Sequence, residues 1–251
     1  MVDALDIIIA VASFGPAMAL MYFTLRNYTF PRVEKPFFDD RKVFALMTFG
    51  IVLGMIFFFV DSAMRSSISL ETILLIALTV PLLQSLIKLA ILNWPKFQRK
   101  VDTAFYGLAL GMGIAATYAF AQMEYAVRYP GFIGLETLDA LGIITILMLG
   151  VQVVLIQGST TAMIGVGCAR GEVLPYFANS LTYALLYSFM LYGSALLADM
   201  FGDIAAILTI VAIWVVCIYS FWRVYKIDYP QLVIDARRGL KKARKRPVRR
   251  P

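Results

Sequence analysis

Histidine is missing from all 251 residues. With it go the commonest metal ligand and the commonest general base. Cysteine is nearly missing too, since only Cys168 and Cys217 occur, each at or inside an apolar stretch. Two such thiols make neither a disulfide framework nor a metal motif and read as small packing residues. Charge is scarce, at 16% of residues, and uneven in sign, with 23 Lys and Arg against 16 Asp and Glu. Acids are missing from the middle of every long apolar stretch: Asp61, Glu71, Asp102 and Glu124 all stand near predicted ends. A proton relay or cation path needs a central acid, which argues against a pump or secondary transporter.

What is present is hydrocarbon. Apolar residues make up 61% of the chain and the mean hydropathy is +0.78, well above a soluble domain. Apolar runs fall near residues 4–25, 43–60, 70–92, 104–127, 139–167, 181–198 and 204–222. Each is long enough, or nearly so, to cross a hydrocarbon core of about 30 Å at about 1.5 Å per residue. A backbone in lipid must satisfy its own hydrogen bonds, so the expected fold is all-α, a polytopic transmembrane helix bundle. The run after Leu138 is long enough for one tilted helix or for two elements, which gives seven spans or eight. The first run lacks a basic leader and a cleavage site and reads as a retained helix.

The basic residues orient the bundle. If the first run starts outside, the inner loops carry Arg26, Arg32, Lys35, Arg41 and Lys42, then Lys96, Arg99 and Lys100, then Arg170, then eleven Lys and Arg after Trp222. The opposite loops hold Arg65 and Arg128, and the N-terminus holds Asp3 and Asp6. Such a bias places the N-terminus out and the C-terminus in, in a multi-pass protein of the cell membrane. Residues 1–222 then form one membrane domain and 223–251 a basic cytoplasmic tail ending in KKARKRPVRRP. A charge block of this kind is expected to be disordered, to anchor topology and to attract anionic lipid. No aromatic residues interleave its final run, so no nucleic acid is expected as a partner. Gly15-Pro16 is expected to kink the first helix, and Phe37-Phe38 to dip into the membrane interface. Glycines four apart, Gly50 with Gly54 and Gly107 with Gly111, are read as helix-packing positions.

Function is sought first among polar groups inside spans. These are Gln84, Ser85 and Lys88 in the third, Tyr118 in the fourth, Gln152, Gln157, Ser159, Thr160 and Thr161 in the fifth, and Asn179, Tyr183 and Tyr187 in the sixth. Gln84 and Lys88, four apart, share a helix face. Lys88 lies close enough to the predicted inner interface to snorkel, and that reading is preferred to a buried charge.

Four segments, in order, carry a resemblance. Gly15-Pro16 is followed by Tyr22-Phe23 and a basic loop with prolines. Residues 82–88 read LLQSLIK, residues 102–116 read DTAFYGLALGMGIAA, and residues 157–165 read QGSTTAMIG. Over roughly residues 10–195 this resembles the PrsW-type intramembrane proteases, relatives of the CAAX prenyl endopeptidase group. Their typical patterns are E-E-x-x-K, D-G-x-x-Y-G-x-x-x-G-x-G-F-A-x-x-E-N and H-x-x-x-T-x-x-x-G on successive helices. Lys88, Asp102, Tyr106, the glycines and Thr161 keep the pattern. The paired glutamates fall on Gln84 and Ser85, the next glutamate on Tyr118, the asparagine after it on Ala119, and the histidine on Gln157. A second family histidine falls near Tyr183.

Hydrolysis of a peptide bond needs an activated water, hence a carboxylate base or a metal held by His and carboxylates. Gln84, Ser85, Tyr118 and Gln157 supply neither. The resemblance therefore implies a pseudoprotease, with no catalytic residue, no metal and no cofactor. Its polar cavity, with Gln84, Ser85, Lys88, Asp102, Tyr106, Tyr118, Gln157, Thr161 and Tyr183 as candidates, would bind a membrane protein, a transmembrane helix, a peptide or a lipid. The alternatives are an atypical active protease using Ser85 with Lys88 as a dyad, a small-molecule or lipid transporter, and a structural subunit of a membrane complex.

Overall fold

A computed structural model describes residues 4–33, 36–64, 70–129 and 140–245. Asp3, Lys35, Arg65, Leu138 and residues 246–251, on which parts of the charge and span readings rest, lie outside the described residues. The helices are α1 (Ala4–Leu25), α2 (Asp40–Met64), α3 (Leu70–Leu92), α4 (Asp102–Arg128), α5 (Ala140–Arg170), α6 (Val173–Phe201) and α7 (Asp203–Arg223). A π-helical turn, Val224–Asp228, leads on to α8 (Tyr229–Lys245). Six helices among the described residues are long and apolar enough to cross a membrane. This is a helical, multi-pass membrane protein.

The ambiguous fifth run is one unbroken helix of 31 residues, α5. Gly171, at φ +78°, then reverses the chain directly into α6, a conformation glycine adopts at no steric cost. Pro16 does not interrupt the helix assignment of α1, which runs its full 22 residues.

Helix α4 is the buried centre, with nearly every described residue from Thr103 to Ala126 shielded. Glycine makes that possible. A Cβ on Gly50 would stand 2.4 Å from the Leu110 carbonyl oxygen, and one on Gly113 2.1 Å from that of Met47. Gly50 therefore meets α4 near Leu110 and Gly54 meets it near Ile114 and Thr117, so α2 and α4 run parallel with their backbones touching. On the other side Gly107 lies against Thr161 and Gly165, and Gly111 against Gln157 and Thr161, so α5 runs antiparallel to α4. Close approach through small residues is the packing mode of helices in lipid, where burial of apolar surface adds little. The apolar side chains of α1, α2 and α7 that face outward, such as Phe59, Ile204 and Val215, are exposed on the bundle's surface, as helices facing lipid require.

The tail departs from the expected disorder. Tyr229, fully buried, donates a hydrogen bond to the Ala104 carbonyl at 3.0 Å. Its ring packs on Phe105 and Tyr28, with centroids at 5.3 and 6.1 Å. Leu232 and Val233 are buried beside it, at the i+3 and i+4 positions that share its helix face. Asp235 pairs with Arg170 at 3.3 Å. A helix with one apolar face can dock where a uniformly charged one cannot, and here it docks against the start of α4. Phe38 likewise packs against Phe105, at 5.2 Å, instead of dipping into the interface.

Candidate functional site

Helices α3, α4, α5 and α6 enclose a cleft whose mainly apolar walls carry a set of polar side chains. Its cavity volume is about 50 Å³, room for about four waters. Along α3 the residues Pro81, Gln84, Ser85 and Lys88 face it, as spacing by three and four on one helix face requires. Tyr118 and Gln122 enter from α4, Gln157 and Thr160 from α5, and Tyr187, Ser188 and Tyr192 from α6.

Two hydrogen-bond networks divide the cleft. In the first, the Lys88 ammonium donates to Gln157 Oε1, and Gln157 Nε2 donates to Gln84 Oε1 at 2.8 Å. The direction of this chain follows from lysine, which can only donate. Gln157 must turn its oxygen to Lys88, which turns its amide nitrogen to Gln84 and leaves the Gln84 amide nitrogen at the chain's end. All three side chains are buried, Lys88 at 2% exposure. The expected snorkelling of Lys88 is thus overturned: its side chain turns into the bundle towards α5. A buried ammonium normally has a carboxylate partner, and no ion pair involves Lys88 among the described residues.

The second network centres on Asp61, at 1% exposure. Its Oδ2 accepts from the Tyr118 hydroxyl at 2.8 Å and from Gln122 Nε2 at 2.9 Å. Its Oδ1 accepts from the Tyr192 hydroxyl at 2.9 Å. Gln122 Nε2 also reaches the Tyr118 oxygen at 3.1 Å. Asp61 does sit near the end of α2, as its position in the sequence suggests, but it is fully enclosed by its neighbours. It adds a buried acid near the end of a span, while the middle of each span among the described residues still holds none.

The cleft brings together Gln84, Ser85, Lys88, Tyr118, Gln157, Thr160 and Tyr187 from the residues singled out in the sequence. The others lie elsewhere. Asp102 opens the first turn of α4, and the Tyr106 oxygen accepts from the Asp39 amide at 3.3 Å. The Thr161 hydroxyl donates to the Gln157 carbonyl at 2.7 Å and fills the notch at Gly111. Tyr183 accepts from Arg223 at 3.2 Å. These four serve packing and the ends of helices, not the cleft wall. Asp61, Gln122, Ser188 and Tyr192 belong to the site and were missed. Gln122 carried a signal, being four residues after Tyr118 and so on its face.

The arrangement bears on chemistry. No hydrogen bond joins Ser85 to Lys88 among the described residues, and the Lys88 hydrogen bond crosses to α5 instead. Ser85 therefore has no activating partner in this state, as a nucleophile would need. Among the described residues no three His, Cys, Asp or Glu side chains converge. What the cleft offers is donors and acceptors in fixed positions, shielded from water. Compared with protein-family models, with curated proteins and with solved structures, the chain finds no match.

Proposed function

We propose that this protein is a membrane-embedded binding protein, a catalytically silent relative of the PrsW-type intramembrane proteases, that holds a ligand in the cleft between α3, α4, α5 and α6. The observation that carries this is the convergence of Gln84, Ser85, Tyr118 and Gln157, from three different helices, on one cleft. In the resemblance these are the reactive positions, and here each bears an amide or a hydroxyl. Such groups recognise by hydrogen bonding and do not activate water at neutral pH. The volume of the cleft constrains the ligand. About 50 Å³ admits one small polar group of a ligand, such as a lipid head or a single side chain, and not an intact helix about 10 Å across. The N-terminus lies outside and the C-terminus inside, with the basic tail against anionic lipid, as the distribution of Lys and Arg requires.

The test is photo-crosslinking from a reactive residue placed at Val153, on the cleft wall, in cells and in liposomes, together with a cleavage assay on a library of membrane-helix substrates. Crosslinks that vanish in a Gln84→Leu/Tyr118→Phe/Gln157→Leu variant, without cleavage, are expected. Cleavage that is lost in Ser85→Ala/Lys88→Ala would overturn the silent reading and make this an active protease. Lys88 on the cleft wall and Asp61 bonded behind it to Tyr118, Gln122 and Tyr192 favour a transporter as the second reading, and solute flux into liposomes that Asp61→Asn abolishes would establish it.

A further inference from the structure

The two networks differ in what they leave over. Around Asp61 the account closes, since the carboxylate accepts three protein donors and Tyr118 both donates and accepts. Around Lys88 it stays open. The ammonium spends one of its three hydrogens on Gln157, and Gln84 gives its oxygen to Gln157 while its amide nitrogen is left over. Left at this end are the remaining Lys88 hydrogens and the Gln84 amide nitrogen, donors of which one is a cation, and among the described residues no carboxylate pairs with it. A buried cation in that position is costly without an anion.

Asp61 does not fill that role. Gln157 is level with Gly111 on α4, while Asp61 is level with Tyr118 to Gln122. Seven to eleven residues at about 1.5 Å each separate the two levels by about 10–16 Å along the helix. Among the described residues no carboxylate pairs with Lys88, which leaves its place open to an anion from outside the chain.

We infer that the Lys88 end of the cleft binds the carboxylate head of a single-chain amphiphile, a long-chain fatty acid, with Lys88 and Gln84 as its donors. This rests on the reading of the cleft as a binding site. A planar monoanion matches one ammonium and one amide, whereas a phosphomonoester would bring a second negative charge with no second cation to meet it. A phosphodiester carries two substituents, which a cavity of about 50 Å³ does not admit. That volume also holds only the head and its first carbons. Val153 and Ile156, which line the wall, meet those carbons, and the rest of the chain lies out among the membrane's own acyl chains.

The test is equilibrium binding of radiolabelled oleate to the full chain in detergent, beside oleyl alcohol and oleoyl lysophosphatidate. Oleate is expected to bind at least about tenfold more tightly than the alcohol, because a charge-assisted hydrogen bond is at stake. Lys88→Met should remove that advantage, while Lys88→Arg should keep most of it. Lys88→Met is also expected to fold, since a buried unpaired charge is replaced by a side chain of similar shape, and its melting temperature checks this. Equal binding of oleate and alcohol, or oleate binding unchanged in Lys88→Met, would overturn the inference while leaving a cleft that binds ligands. Tighter binding of lysophosphatidate would make the site one for phosphate. No binding of any of the three overturns the ligand class, and the crosslinks from Val153 then judge the wider reading independently.

Discussion

Asp61 gives the sharpest test of the fold around the cleft. Its carboxylate ties α2 to α4 through Tyr118 and Gln122 and to α6 through Tyr192, at 2.8, 2.9 and 2.9 Å. Asp61→Ala strands those donors. Tyr118 and Gln122 still have one another at 3.1 Å, so the loss falls mainly on Tyr192 and on one bond of Tyr118. At about 1.5–3 kcal/mol for each hydrogen bond to a charged group that is lost, and with some relief from removing a buried charge, the net cost is about 2–4 kcal/mol. Asp61→Asn should cost only about 1 kcal/mol, because the amide oxygen replaces Oδ2 and the Tyr192 hydroxyl can rotate to accept from the amide nitrogen. The cleanest measure is a double-mutant cycle between Asp61→Ala and Tyr192→Phe, in which the desolvation term cancels. The assay is reversible unfolding in mixed micelles followed by helical circular dichroism. A coupling of about 1.5–3 kcal/mol is expected for a hydrogen bond to a charged group. A coupling indistinguishable from zero would refute the idea that α6 is held to α2 through this carboxylate.

Two further predictions concern packing. Gly113→Ala puts a methyl 2.1 Å from the Met47 carbonyl oxygen, and backbone cannot move aside as a side chain can. It should destabilise by at least about 1–3 kcal/mol, whereas Gly193→Ala, with nothing within 4 Å of the new methyl, should be neutral or stabilising by up to about 1 kcal/mol. The same unfolding assay reads both, and equal effects would remove the glycine contact as the basis of the α2–α4 packing. Tyr229→Ala should empty the ring's site beside Phe105 and release α8, at a cost of about 3–5 kcal/mol. Limited trypsin digestion should then cut faster after Arg237 and Arg238, and an unchanged rate would mean that α8 is held by something other than Tyr229.

Sequence and structure agree where a pattern is long and differ where a single contact decides. Apolar runs of twenty residues or more leave few choices in lipid, and the helices follow them. The glycines at 50, 54, 107 and 111 were legible as packing because the absence of a side chain has one obvious use at a helix crossing. Gln84, Lys88, Tyr118 and Gln157 were legible because polar groups are costly in a span and must find one another. Asp61 was not, because three residues from the end of α2 look like an interface position. Only the partners brought by α4 and α6, residues 57 to 131 positions away, make it interior. Lys88 was misplaced for the mirror-image reason: a long flexible stem reaches either water or a neighbour, and its helix alone does not say which. In the tail, eleven basic residues outweighed Tyr229, Leu232 and Val233, although their spacing is that of a buried helix face.

The division between the Asp61 and Lys88 networks bears on what chemistry the cleft can do. In a hydrolase a polar site must contain a group that takes a proton and passes it on, and that group has to stay unsatisfied until substrate arrives. Asp61 is a buried carboxylate hydrogen-bonded to the cleft residues Tyr118, Gln122 and Tyr192, which occupy both of its oxygens. An acid so enclosed holds helices together; to act as a base it would first have to give up partners worth several kcal/mol. At the other end the amides of Gln84 and Gln157 cannot take up a proton at all, yet they fix the orientation of Lys88. The Asp61 end is held by hydrogen bonds between helices, and the Lys88 end keeps donors that the described residues do not use.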